Sequence, residues 1–157
     1  MKSLQIALST ALLFLFFACS DPCADVNCGD NGTCNQGLCI CDEGYEGFNC
    51  EAKIIDKFTG TWVSTDFSCD GELEPVTFVF EQGSTITDLR FYDAEDEEII
   101  ISVNYAGNNI SIDEQEVDEA TVSGSGSLTD ANTFLMFFQI VDEDNDSYSC
   151  SGTFTKQ

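Results

Sequence analysis

Residues 23–50 read CADVNCGDNGTCNQGLCICDEGYEGFNC and contain six of the chain's nine cysteines. Their spacing is C-x4-C-x5-C-x4-C-x-C-x8-C. A stretch this short, with few large apolar side chains, cannot build a hydrophobic core, so covalent cross-links are expected to replace one. A zinc site is the competing use of clustered cysteines, and an oxidising compartment favours disulfides. Six cysteines allow many pairings, which the spacing alone does not resolve.

The end of this stretch carries a family resemblance. The segment Cys41-Asp-Glu-Gly44-Tyr45-Glu-Gly47-Phe-Asn-Cys50, together with the single residue between Cys39 and Cys41, resembles an EGF-like module. The resemblance implies a spacer or recognition module over residues 23–50. It also implies three disulfide pairs, which are Cys23–Cys34, Cys28–Cys39 and Cys41–Cys50.

Calcium is a candidate cofactor of this module, although the match to its calcium-binding members is incomplete. Those members carry an acidic signature ahead of the first cysteine, where this chain has only Asp21, and an aromatic residue that residues 35–38 lack. Asp25 and Asn35 remain as candidate oxygen donors. We therefore predict no cofactor and keep calcium as the alternative.

The N-terminal residues are typical of a targeting segment. Residues 4–18 are apolar or small apart from Gln5, Ser9 and Thr10. This run is shorter than the roughly 20 residues that span a bilayer, and it fits the apolar core of a secretory signal. We expect residues 1–18 to be a signal peptide.

The end of the apolar run, Phe16-Phe17-Ala18-Cys19, resembles the lipobox of bacterial lipoproteins. The resemblance implies that Cys19 is lipidated, that residues 19–22 form the anchored N-terminus, and that Ser20 directs the protein to the outer membrane. Either face of that membrane is open, including the cell surface. The alternative is ordinary cleavage after Ala18, which leaves Cys19 as a thiol and the cysteine count odd.

Beyond a connector at residues 51–57, the chain reads as an all-β domain over residues 58–157. The pattern has period two, with Val76, Phe78 and Phe80 on one face of one strand. About eight short antiparallel strands separated by turn residues are expected, as in a barrel or a sandwich. The segment Phe58-Thr59-Gly60-Thr61-Trp62 resembles the G-x-W opening of lipocalin-like barrels.

The lipocalin-like resemblance implies that Trp62 closes one end of a barrel, and it leaves a β-sandwich as the alternative. In that family an arginine packs on the tryptophan, and Arg90 is in the wrong place to do so. Cys69 is expected at the end of the first strand and Cys150 in the last strand. Because these strands are neighbours in a closed barrel, we predict a disulfide between them.

Composition limits the functions open to this chain. It has 29 acidic and five basic residues, a formal charge of −24 and no histidine. Nucleic-acid binding needs a basic face, so no nucleic-acid partner is expected. Hydrolases that depend on a histidine base are excluded. Hydrophobic residues make up 43% of the chain, which is too much for a disordered acidic tail.

Acidic residues cluster at residues 93–98, 113–119 and 142–146, which we interpret as solvated segments between strands. The run Asp142-x-Asp144-x-Asp146 is similar to the start of a calcium loop. Ser147 replaces the required glycine, however, and Thr153 replaces the final glutamate.

These observations predict a protein that is not an enzyme. The expected function is surface binding or scaffolding by a lipoprotein of the cell envelope, with the membrane as one partner through its anchor and a protein or glycan as another. The first alternative is a carrier of a small apolar ligand in the barrel. A weaker alternative is a hydrolase that uses a pair of carboxylates.

Overall fold

The computed structural model describes residues 21–157, without the side chains of residues 96–100. The predicted signal peptide and the predicted lipidation site Cys19 lie outside the described residues. The described chain divides into two compact units. The first comprises residues 21–42 and 48–50, and the second comprises residues 43–47 and 51–157.

The first unit is held together by disulfides around one small hairpin. Strands β1 (Gly32–Asn35) and β2 (Leu38–Cys41) pair antiparallel. The bridges are Cys23–Cys34, Cys28–Cys39 and Cys41–Cys50, the same pairs that the family resemblance implies. Cys50 is completely buried, so the bridges themselves supply the interior that the short sequence lacks.

The second unit is almost entirely β structure. Its first elements are β3 (Tyr45–Glu46), β4 (Ala52–Lys53) and a 3-10 helix (Ile54–Lys57). The strands that follow are β5 (Gly60–Ser64), β6 (Ser68–Cys69), β7 (Glu72–Leu73), β8 (Val76–Gln82), β9 (Leu89–Asp93), β10 (Asp96–Ala106), β11 (Asn109–Val117), β12 (Ala120–Asp130), β13 (Thr133–Val141) and β14 (Ser147–Lys156). Within residues 21–157, no helix is both long enough and apolar enough to cross a bilayer.

Eight of these strands form a closed antiparallel barrel. Neighbours follow the order β13-β12-β11-β10-β9-β8-β5-β14, and β14 also pairs with β13, which closes the ring. The predicted barrel is confirmed and the sandwich alternative is wrong. One cluster of buried side chains packs inside the barrel and includes Trp62, Phe80, Phe91, Phe134 and Phe154.

The remaining cysteines bridge the first and last parts of the barrel. Cys69 lies directly opposite Cys150 across the β6–β14 pair, and the two form a disulfide. The expected position of Cys69 at the end of the first strand is wrong in detail, because residues 65–67 separate β6 from β5.

The prediction that all three acidic segments lie between strands is wrong. β11 continues to Val117, so Asp113, Glu114 and Glu116 are strand residues. All three are exposed, and strand positions that face water tolerate charge at little cost.

One end of the barrel is closed by aromatic packing. Trp62 is completely buried, and its indole N–H donates a hydrogen bond to the carbonyl oxygen of Phe58 at 2.6 Å. The Lys156 Nζ atom lies 5.3 Å from the centre of the Trp62 ring and donates to the Lys57 carbonyl oxygen at 3.1 Å. Burial lowers the pKa of Lys156, and nearby Asp56 partly opposes that shift. Lys156 thus occupies the place that the resemblance gives to an arginine.

Position 60, the glycine of the G-x-W segment, requires glycine at this end of the barrel. Gly60 has a φ of +124°, and a Cβ atom there would lie 3.1 Å from the Cε atom of Lys156. Glycine therefore provides both the backbone conformation and the space for the lysine stem.

We expect Lys156→Ala to lower the free energy of unfolding by about 2 kcal/mol, because it removes a cation–π contact and a charged hydrogen bond. The loss is measured by urea unfolding of the oxidised protein. Lys156→Arg should retain most of the stability. Lys53→Ala, which truncates an exposed lysine, is the control and should change stability by less than about 0.5 kcal/mol. Equal stability of Lys156→Ala and the native protein would contradict this role.

Candidate functional site

The barrel topology gathers the acidic residues of three hairpins at one end. In an up-and-down barrel, consecutive connections lie at opposite ends, so every second connection lies at the same end. The β9–β10, β11–β12 and β13–β14 connections therefore share one end, which we call the mouth. They contain or adjoin Asp93, the pair Asp118–Glu119 and the loop 142–146. The other end is the one closed by Trp62.

A cavity of about 590 Å³ opens at the mouth. Phenylalanine rings form its floor, from Phe67, Phe78, Phe91 and Phe138. They pack on each other in tilted and edge-on contacts, with ring centres 5.0 Å apart for Phe78 and Phe91 and 5.8 Å apart for Phe78 and Phe138. The volume falls in the range of about 300–1,000 Å³ that is usual for small-molecule sites.

The upper walls combine aliphatic side chains with a rim of carboxylates. Ile101, Val117, Val122 and Ile140 contribute the aliphatic wall. The carboxylates in the described lining are those of Asp93, Asp118, Glu119, Asp142, Glu143 and Asp144. The described lining includes no lysine or arginine.

Asp142 shapes the rim rather than standing free on it. Its Oδ1 atom accepts hydrogen bonds from the backbone N–H groups of Asp144 at 3.1 Å and Asp146 at 2.8 Å. Its Oδ2 atom accepts from the Tyr148 hydroxyl at 3.1 Å, and this bond to a carboxylate raises the pKa of Tyr148. Within residues 21–157, four other rim side chains are exposed and have no hydrogen-bond or ion-pair partner: Asp118, Glu119, Glu143 and Asp144.

Phe67 reaches the cavity floor because the ladder beside β14 is interrupted. In the gap between β5 and β6, the Asp66 carboxylate accepts a hydrogen bond from the Thr153 backbone N–H at 2.8 Å and another from the Ser64 hydroxyl at 2.8 Å. These bonds lower the pKa of Asp66, with the Thr153 amide as the largest cause. Asp66 thus replaces a backbone acceptor. A Cβ atom on Gly152 would lie 2.9 Å from the Phe67 Cα atom, so glycine permits this close approach.

The candidate calcium ligands do not form a metal centre in the described structure. The Oδ1 atom of Asp142 is engaged within its own loop and the Oδ2 atom accepts from Tyr148 on β14, so the run Asp142-x-Asp144-x-Asp146 acts as a turn. Across residues 21–157, no group of three or more aspartate, glutamate or cysteine side chains is arranged to hold a metal ion. That statement includes Asp25 of the first unit.

A second candidate surface lies on the first unit. Leu38 and Ile40 are two residues apart on β2 and therefore share a face. Their exposed fractions are 70% and 55%, and Phe48 of the same unit is 81% exposed. Apolar side chains this exposed contribute little burial energy to the unit's own fold.

Sequence reasoning missed the cavity floor and the role of Lys156. Taken one at a time, the acidic runs predict separate solvated segments, and only the alternation of hairpins along the barrel brings them to one end. Phe67 carried no signal of its own, since it follows the first strand in an irregular segment. Lys156 could have been found as the cation of the last strand.

Comparisons with known proteins support the assignment of the N-terminal part. Residues 19–53 match the teneurin-like EGF domain family. The chain is 37% identical over 59 residues to the mouse Delta and Notch-like epidermal growth factor-related receptor, covering 36% of this chain and 8% of that protein. It is 43% identical over 42 residues to a neurogenic locus notch homolog protein of Giardia intestinalis, covering 27% of this chain and 7% of that protein.

These relatives are matched over less than a tenth of their own length. Among solved structures, the chain is similar to a redesigned β barrel, with a TM-score of 0.47 and 16% identity over 68% of this chain and 97% of that one. The N-terminal part of the protein is an EGF-like module, and it precedes an all-β domain that forms a closed barrel of eight strands.

Proposed function

We propose that this protein is a non-catalytic binding protein of the cell surface, with its EGF-like module as a recognition element. Its relatives include a mouse protein named as a receptor, which supports a surface role. The observation that carries the proposal is the exposure of Leu38, Ile40 and Phe48 on a unit that has no need of them for its own core. Apolar and aromatic side chains of this kind are the usual anchors of protein interfaces.

The partner we propose for this module is a protein rather than a glycan. Leu38 and Ile40 are aliphatic and offer a sugar no hydrogen bond, whereas they gain from burial against an apolar pocket. Asp25, Asp30 and Asp42 of the same unit are exposed, which favours a partner with basic residues around that pocket.

Attachment to the membrane through a lipid on Cys19 is part of the proposal. Its support is the apolar run of residues 4–18, which ends in Phe16-Phe17-Ala18 directly before Cys19. Acyl chains anchor a protein without a transmembrane helix, and stable attachment takes more than one of them. We place the anchor in the outer membrane.

Cys19→Ser should release the protein from the membrane, because the thiol that carries the lipid is lost. Expression in a Gram-negative host followed by membrane fractionation measures the change, and intact mass spectrometry should find an acylated mass only in the native protein. Ser20→Ala is the control and should remain membrane-bound. A native protein without an acyl mass would contradict the anchor.

Replacing Leu38, Ile40 and Phe48 together by serine should reduce partner binding at least tenfold without unfolding the module. The three bridges maintain the unit, so its proteolytic resistance should persist. Binding is measured by quantitative crosslinking on intact envelopes, comparing native and variant chains. Leu73→Ser, which alters an exposed apolar residue of the barrel unit, is the matched control. A partner recovered equally with the triple variant, or a glycan in its place, would contradict this assignment.

A second function is supported by the cavity at the mouth, which suits a carrier of a small apolar ligand. Eight-stranded barrels are either filled by side chains or hold one small ligand. Here side chains fill the end near Trp62, and about 590 Å³ stay open above the phenylalanine floor. The hydrolase alternative gains no comparable support, because four of the six rim carboxylates are exposed to solvent, which does not desolvate a general acid.

The neutral dye N-phenyl-1-naphthylamine should bind the native barrel at one site with an increase in fluorescence. Ile140→Trp, which adds volume inside the cavity, should weaken binding at least tenfold. Leu135 lies five residues before Ile140 on the same strand and faces outward. The Leu135→Trp variant should therefore bind the dye as the native protein does. Absence of dye binding to the native protein would contradict the carrier function.

A further inference from the structure

We infer that the mouth cavity binds an amphiphile with an apolar body and a cationic head, such as an alkylamine or an alkyl quaternary ammonium compound. The inference rests on the proposed carrier function and names the class of its ligand. It follows from three features of the barrel: the apolar floor, the charge of the rim and the placement of the basic residues.

The floor sets the apolar half of the ligand. Phe67, Phe78, Phe91 and Phe138 present aromatic carbon to the cavity, and Val122 and Ile140 present aliphatic carbon above them. No hydrogen-bonding side chain lies among these floor residues. Burial of an alkyl chain here is favourable by roughly 25 cal/mol per Å² of apolar surface removed from water.

The rim sets the polar half. Six carboxylates from three hairpins surround the opening: Asp93, Asp118, Glu119, Asp142, Glu143 and Asp144. A ligand lying with its chain on the floor places its head among them.

The basic residues of the described chain are all engaged or placed elsewhere. Lys57 pairs with Glu46 at 2.6 Å, and Arg90 pairs with Asp88 at 2.6 Å. Lys156 lies on Trp62 at the closed end, and Lys53 belongs to β4. Since none of these four lines the cavity, the described residues leave the rim charge uncompensated.

The arrangement favours an organic cation over a metal ion and disfavours an anionic amphiphile. The carboxylates are distributed around the opening, and within residues 21–157 no three of them converge on a metal position. A diffuse alkylammonium charge suits such a ring, because it needs no tight coordination. A fatty acid would bring its carboxylate into a field of like charge, which is repulsive.

Three ligands with the same ten-carbon chain test the inference: decyltrimethylammonium, decanol and decanoate. Each displaces the neutral dye N-phenyl-1-naphthylamine from the full-length protein, below its critical micelle concentration and at low salt. We expect the cation to bind at least tenfold more tightly than the alcohol, and the carboxylate to bind more weakly than the alcohol. The preference should shrink at 1 M salt, where the Debye length is about 3 Å.

Two variants with equal loss of charge separate the rim from the bulk charge of the protein. The rim variant combines Asp118→Asn, Glu119→Gln, Glu143→Gln and Asp144→Asn. The control variant combines Asp25→Asn, Asp30→Asn, Glu81→Gln and Glu114→Gln, all exposed positions outside the cavity lining. The rim variant should lose the preference for the cation yet bind decanol as the native protein does, and the control variant should retain the preference.

The outcomes separate this inference from the carrier function on which it rests. Decanol binding with no preference for the cation leaves the carrier function standing and overturns the inference. A preference that falls equally in both variants assigns it to bulk charge and also overturns it. Failure of all three ligands and of the dye overturns the carrier function together with the inference.

Discussion

The architecture depends on β14 being paired along both of its edges. Nine consecutive residue pairs join it to β13, while the other edge pairs with β5 at Thr155 and Lys156 and with β6 at Cys150 and Ser151. This double pairing turns an open sheet into a ring. It also fixes which hairpins share an end, and hence where the cavity opens.

The same strand links the two ends of the barrel through its side chains. Lys156 reaches Trp62 at the closed end, while Cys150 is bonded to Cys69 on the side of the mouth. Between them, Thr153 donates to Asp66 across the gap in the ladder. The irregular segment that carries Phe67 is therefore held in place by a covalent bond at one side and a charge-assisted hydrogen bond at the other.

Much of this fold could be predicted from local sequence patterns, whereas the site depends on contacts between distant parts of the chain. Period-two alternation around Phe78 and the cysteine spacing around Cys41 report on neighbours within a few residues, so strands and module follow from them. The cavity depends on which hairpins share an end of the barrel, and hairpins far apart in sequence come together only when the barrel closes. The role of Lys156 is likewise a long-range fact, because its partners Trp62 and Lys57 lie about a hundred residues earlier.

The chain enters β5 and leaves β14 at the end closed by Trp62, since Gln157 donates its backbone N–H to the Thr61 carbonyl oxygen. The three hairpins of the mouth therefore take no part in the entry of the chain into the barrel or in the packing around Trp62. Loops free of such duties tolerate changes of sequence and length far better than core strands do. Selection can thus change these three hairpins while the residues that close the barrel stay the same, so the mouth is the part of the barrel that tolerates change most readily.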